Sequence, residues 1–149
     1  MFKTHVAAGF LFGIFSIQYL TPVNQILFMS LVLIGAILPD IDHPKSKLGS
    51  KFKIVSLFFE HRGFFHSLFV LPVIALVLFL TTKTNYYSLP LIIGYLSHLL
   101  TDAMTKEGIM LFHPISKARI NGFITTGGFF EYILFFAIII FAAIKTMGL

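Results

Sequence analysis

The sequence predicts an all-α, polytopic membrane protein of about five transmembrane helices plus an interfacial helix, with residues 1-149 forming a single integral-membrane domain. Hydrophobic residues make up 57% of the chain, mean hydropathy is +0.92, and only 11% of residues are charged, against about 25% in soluble domains. A soluble chain of this size exposes too much surface to hide that much apolar material. The apolar residues also fall in long runs separated by short polar stretches. A soluble enzyme, a disordered tail and a collagen-like chain are thereby excluded.

The first apolar run is His5–Leu20, interrupted by Gly9 and Gly13 and lacking the basic leader and cleavage site of a signal peptide. Thr21-Pro22-Val23-Asn24 makes a tight turn into Gln25–Leu38, which ends at Pro39. These two runs fall below the ~20 residues that cross a bilayer comfortably. Ser67–Thr82 is the third run, with Pro72 expected to bend it. Ser88–Met104 is the fourth, with Pro90 tolerated in a first helical turn, and Gly128–Thr146 is the fifth. In the connection Asp40–His66, the segment Lys51–Glu60 puts Lys53, Ser56 and Glu60 on one helical face and Phe52, Val55 and Phe59 on another, as a helix in the headgroup plane would. In the connection Ala103–Gly127, Ile109–Phe112 is apolar enough to dip into the interface.

Eleven Lys and Arg against six Asp and Glu give a net charge of +5. In a membrane protein such an excess reads as loops facing anionic headgroups, with no nucleic-acid partner. If five spans alternate, nine of the eleven basic residues share one face with the N-terminus and both long loops, leaving Lys83 and Lys145 opposite. The positive-inside rule puts that face in the cytoplasm, in a cell (inner) membrane.

The same topology sends all six His and all six acids to the cytoplasmic side. General solvation would scatter them over both ends, so the segregation points to a site. His98 and Asp102 are its sharpest pair. Four residues apart, they leave one helix face and can hold one metal, with a helix-packing pair as the plainer alternative. His98 lies six residues before Met104, roughly 9 Å along a helix axis, inside the apolar zone where ionisable groups are costly and usually functional. Asp40, Asp42 and His43 follow the second run, where prolines are expected to hold the backbone extended. Alternate side chains would then share a face, so both Asp could reach one ion, or one could ligate while the other orients a ligating His; a solvated turn is the alternative.

His61 and His66, with Gly63 between them, can converge from a loop onto a helix start. Arg62 between them suits a phosphate or carboxylate oxyanion, with headgroup anchoring as its plainer role. His5 gains weight from this company. Glu131, in the first turn of the fifth run, is a weaker catalytic candidate because the helix dipole favours a carboxylate there in any case. His113 reads as a loop residue. Mixed imidazole and carboxylate ligands with zero cysteines fit Zn first, with Mn or Fe as alternatives, and eight candidates are enough for two ions. Two close ions activate water and clamp an oxyanion in phosphoester hydrolysis.

The motifs Thr4-His5, Leu38-Pro39-Asp40-Ile41-Asp42-His43-Pro44, His61-Arg62-Gly63 with His66-Ser67, and Gly94-Tyr95 with Ser97-His98-Leu99-Leu100-Thr101-Asp102 and Thr105 together resemble the YdjM-like family of membrane-bound metal-dependent hydrolases. That family is distantly similar to zinc-dependent phospholipase C and the fungal single-strand nucleases, all-helical phosphodiesterases with a zinc cluster bound by Asp, His and an H-x-x-x-D/E helix. The resemblance implies His5, Asp40, Asp42, His43, His61, His66, His98 and Asp102 as metal ligands. His113 stands where the family tends to carry an aromatic, and gains no support as a ligand. The expected function is a metal-dependent hydrolase at the cytoplasmic membrane surface, acting on a phosphoester of a lipid or lipid-linked molecule, with Arg62 neutralising the phosphate. The alternative is a metal-ion transporter or sensor using the same cluster. A membrane anchor for a regulatory partner would leave His98 and Asp102 without a role.

Overall fold

The structure, a computed structural model, describes residues 1–58 and 60–148, with the side chains of Lys53, Ser56 and Leu57 outside the described set. Its helices are α1 (Phe2–Leu20), α2 (Gln25–Ile37), α3 (Lys53–Phe58), α4 (Val70–Thr82), α5 (Ser88–Ala103) and α6 (Phe129–Thr146). Among the described residues no strand forms, although Thr105 bridges Ile124 and Ile109 bridges Ile120 in the connection before α6. By length and composition two segments can cross a membrane, Gln25–Asp42 and Phe129–Thr146, and α4 is a shorter apolar helix. That is fewer than the five expected. Helices α4 and α5 have only 13 and 16 residues, and α1 carries the polar residues Lys3, Thr4, His5 and Gln18.

Helices α1, α2 and α5 pack on one another, α6 lies on α1, and α4 lies on α5. Small residues set the closest contact. A Cβ on Gly94 would stand 1.9 Å from the Val32 carbonyl oxygen, and one on Gly35 would stand 2.1 Å from that of Leu91. Backbone therefore meets backbone between α2 and α5, as glycine permits in helix pairs. One turn beyond Gly94, His98 lies against the end of α2.

Among the described residues, nearly as many polar as apolar side chains are buried, including His5, Asp42, Arg62, His66, His98 and Asp102. Large apolar side chains face outward instead. Of α6 only Ala142 is buried, while Leu76, Val77 and Leu80 of α4 are more than half exposed. Contiguous apolar exposure on this scale suits a lipid surround.

Three expectations change. Leu38–Asp42 is a 3-10 helix, not extended backbone, because Pro39 sits at its start, where proline is tolerated. At three residues per turn, Asp40 and Asp42 no longer share a face. Pro72 falls in the first turn of α4, where its missing N–H interrupts no helical bond, so it gives no reason for a bend. Ile109 and Met110 are buried rather than interfacial. Their amides bond to the Ile120 and Arg62 carbonyls, and Ile109 packs with Val70, Tyr95 and Leu99. The surface helix is confined to α3, and its two-faced pattern cannot be followed, because Phe59 and the side chains of Lys53 and Ser56 lie outside the described residues. Glu60 lies beyond α3, exposed, and pairs with Arg119 at 3.3 Å.

Gly94→Ala must push α2 from α5, an overpacking cost of about 1–3 kcal/mol. Thermal unfolding in detergent should show a lower midpoint for Gly94→Ala than for wild type; an unchanged midpoint would mean that the contact is not tight.

Candidate metal centre

The side chains of the centre come from four places in the chain. The first turns of α1 supply His5, and the 3-10 turn after α2 supplies Asp40 and Asp42. The loop before α4 supplies His61, Arg62 and His66, and the last turns of α5 supply His98 and Asp102. Three groups bring potential ligand atoms within 4.8 Å of one another: His5, Asp40 and His98; Asp42, His61 and His66; His66, His98 and Asp102. These His/Asp groups can hold a metal ion.

Hydrogen bonds fix which ring nitrogens face inward. The His98 Nδ1 lies 2.8 Å from the Ala36 carbonyl oxygen, an acceptor only, so Nδ1 carries the proton and Nε2 keeps its lone pair. The same reasoning applies to His5. The Thr101 hydroxyl donates to the His98 or Ser97 carbonyl and therefore accepts from His5 Nδ1, 2.7 Å away. His5 also stacks on His98 with ring centroids 3.8 Å apart. His66 Nδ1 faces Asp42 Oδ2 at 3.1 Å, so its Nε2 points at His98 Nε2, 3.2 Å away.

Two imidazole nitrogens facing each other need a proton or a cation between them. Asp102 Oδ2 completes the triad, 3.4 Å from His66 Nε2 and 3.6 Å from His98 Nε2. Ligands on a tetrahedral ion with bonds of about 2.0–2.1 Å lie roughly 3.4 Å apart, so these spacings suit a zinc-sized ion. The other Asp102 oxygen, Oδ1, lies 3.4 Å from His5 Nε2. Asp42 is placed differently. Its Oδ1 is 2.7 Å from His61 Nδ1, a hydrogen-bond distance, and its Oδ2 faces His66 Nδ1 and the Arg62 amide. It is therefore positioned to orient two imidazoles.

His43 belongs to none of the three groups, but its ring lies edge-on to His61 at 4.2 Å. Burial, then the neighbouring His61, lowers its pKa below 6.5. For His66, burial works in the same direction, yet hydrogen bonds to Asp102 and Asp42 outweigh it and raise the pKa to about 9.

Arg62 is buried, with a backbone φ of +62° in the left-handed region where a non-glycine residue is strained. Its guanidinium donates to Thr105 Oγ1 at 2.8 Å and pairs with Glu107 at 3.1 Å and Asp102 at 3.4 Å. The Nε is buried without a partner. Glu131 stands apart from the three groups. Its carboxylate accepts from the Thr4 hydroxyl at 2.9 Å and the Gly127 amide at 2.6 Å, and so ties α6 to α1. His113 also lies outside the groups, against Phe64.

A cavity of about 360 Å³ opens over the centre. His5, Asp40, His43, His61 and Asp102 line it together with the cations Lys45, Lys47 and Arg62 and the acid Glu107. Thr101 and Thr105 had no assigned role in the sequence, although Thr101 shares the His98–Asp102 face of α5 and Thr105 follows just beyond that helix; Glu107 carried no signal.

The sequence profile described as "YdjM inner membrane protein" matches residues 1–149. YvsG of Bacillus subtilis (strain 168) is 36% identical over 141 residues, covering 89% of this chain and 85% of that protein. Inner membrane protein YdjM of Escherichia coli (strain K12) is 37% identical over 92 residues, covering 55% of this chain and 46% of that protein, as is its Shigella flexneri counterpart. This chain thus matches about half the length of those two relatives. No solved structure matches.

The raised His66 pKa has a consequence for stability. A pKa of about 9 against 6.5 unfolded gives a contribution that is full below 6.5 and lost as pH rises through 9. Metal-stripped protein should therefore melt at a lower temperature at pH 9.5 than at pH 6.5, by thermal scans at each pH (about these values). A midpoint independent of pH would remove the ion-paired His66.

Proposed function

The chain belongs to the YdjM inner membrane protein family, and we propose that it is a membrane-embedded metal-dependent hydrolase cleaving a phosphoester of a lipid or lipid-linked substrate. The observation that carries this reading is the convergence of His66 Nε2, His98 Nε2 and Asp102 Oδ2 below a cavity rimmed by Lys45, Lys47 and Arg62. Metal-binding groups alone would suit storage or transport; Arg62 is paired with Glu107 and Asp102, but Lys45 and Lys47, which enter no ion pair among the described residues, leave positive charge beside the centre for an anionic substrate.

His66, His98 and Asp102 Oδ2 would hold one ion. His5 and Asp40, which group with His98, would hold a second, nearer the cavity, with zinc the first choice and Mn or Fe the alternatives. Such ions supply an activated water and neutralise a phosphoryl oxygen. Asp42 keeps the Nδ1–H of His66 directed away from the ion, and Ala36 and Thr101 do the same for His98 and His5. Arg62 holds Asp102 and Thr105 in place and brings its positive charge to the cavity wall, where charge developing on phosphate is stabilised. Lys45 and Lys47 attract the anion from solvent. Glu131 anchors helices in this account and takes no part in the chemistry.

The topology belongs to the same proposal. The nine basic residues on the side of the site would place it, and the N-terminus, in the cytoplasm of a multi-pass protein. A reporter inserted near Ser50 should be cytoplasmic and one after Leu149 extracytoplasmic; both on one side would reject the five-span arrangement.

Activity is tested on detergent-purified, metal-loaded protein with a panel of lipid and water-soluble phosphoesters. Hydrolysis that chelation abolishes and metal restores is the expected result. Arg62→Lys keeps a charge beside Asp102 but loses the planar fork, so it should retain metal while turnover falls by ~10²-fold. Full turnover in Arg62→Lys would remove Arg62 from the chemistry. No turnover on any phosphoester, with metal flux into proteoliposomes, would replace the hydrolase by a transporter.

A further inference from the structure

The cavity over the metal centre continues sideways. A second cavity of about 480 Å³ adjoins it, the two sharing Phe2, Lys47 and Thr126. A third of about 350 Å³ shares Phe2, Lys3 and Phe135 with the second and runs along α1, α2 and α6. The lining changes in one direction. It begins with His, Asp, Glu107 and cations, passes a mixed stretch at Lys47, Glu131 and Tyr132, and ends at Val6, Phe10, Leu33 and Ile139, where among the described residues Lys3 is the one charged side chain. Phe2 stands at every junction, with Lys47 Nζ 4.5 Å above its ring. From Phe2 to Phe10 the path covers roughly 12 Å of helix.

We propose that the groove between α1 and α6 receives the hydrocarbon chain of a membrane lipid phosphoester whose phosphate lies in the cavity over the His/Asp cluster. The proposal rests on the hydrolase reading for its head group and adds where the tail goes. Charge and apolarity are ordered as they are in such a lipid. Lys45 and Lys47 line the cavity at the polar end, where phosphate oxygens would be neutralised, Lys3 stands between the second cavity and the third, and among the described residues no acidic side chain lines the apolar end. Phe10 and Ile139 are partly exposed, so the groove opens sideways toward the surface that the apolar face of α6 presents to lipid. A lipid could then enter from its own leaflet without its chain crossing water. Moving a chain from bilayer to groove gains little hydrophobic energy, since both surroundings are apolar. The groove would therefore position the ester bond more than it would add affinity, and occupancy is better read by location than by binding strength.

The test uses full-length protein in phosphatidylcholine vesicles containing a single-chain lipid phosphate with a diazirine midway along its chain. On irradiation, labelling should concentrate on the peptides of α1 and α6 that carry Val6, Phe10 and Ile139. It should fall several-fold in Val6→Trp and in Ile139→Trp, the latter at an exposed position where folding tolerates bulk. Unlabelled lipid phosphate should compete and a long-chain alcohol should not. Labelling spread evenly over Leu76, Val77 and Ile140, unmoved by either substitution, would overturn the proposal. Turnover, measured on the lipid phosphate itself and on p-nitrophenyl phosphate, separates the two readings. Focused labelling without turnover keeps the groove and removes the hydrolase; turnover with even labelling does the reverse.

Discussion

Asp102 has two oxygens and four partners that carry or can take positive charge. His5 Nε2, Arg62 and His66 Nε2 lie 3.4 Å from it, and His98 Nε2 lies at 3.6 Å. They come from α1, from the loop before α4, which supplies both Arg62 and His66, and from the preceding turn of α5. A buried carboxylate without compensation costs several kcal/mol, and removing one member of such a group leaves the others uncompensated. The interior is thus held by a charge constraint as well as by apolar burial. The fold meets it by bringing α1, the loop before α4 and the end of α5 to one point, and glycine contacts between α2 and α5 make room for it.

The packing looks inverted beside that of a soluble domain. Apolar side chains of α4 and α6 face outward, and the interior at one end of α1, α2 and α5 is polar. Lipid can supply the apolar surround, so the inside is free to carry the ionisable groups that chemistry needs. These groups gather at one end of the helices, beneath a cavity with Lys45 and Lys47 on its wall, and the proposed reaction would take place there, at the membrane surface.

Much of this was legible in the sequence, for a physical reason in each case. The four-residue spacing of His98 and Asp102 fixes a shared helix face whatever the tertiary structure. Seven of the eight candidate ligands fall within the three groups, and His43 lies beside them. Contacts made in three dimensions were not legible. Asp42 serves two imidazoles because Leu38–Asp42 coils into a 3-10 turn, and nothing local distinguishes that from an extended Pro-flanked segment. Thr101 acts on His5 across 96 residues. Arg62 adopts a left-handed backbone with glycine at the next position, so even that hint was displaced by one. Ile109 and Met110 looked interfacial because only their pairing with the chain near Ile120 and Arg62 buries them.

The central claim is that the cluster around Asp102 holds metal, and elemental analysis of full-length protein purified in detergent tests it most directly. Wild type loaded with zinc and desalted should retain about two ions per chain, while His98→Ala and Asp102→Ala, still inserted and folded, should each retain less. Wild type that retains no metal, or both variants retaining as much as wild type, would contradict the account and return His98 and Asp102 to helix packing.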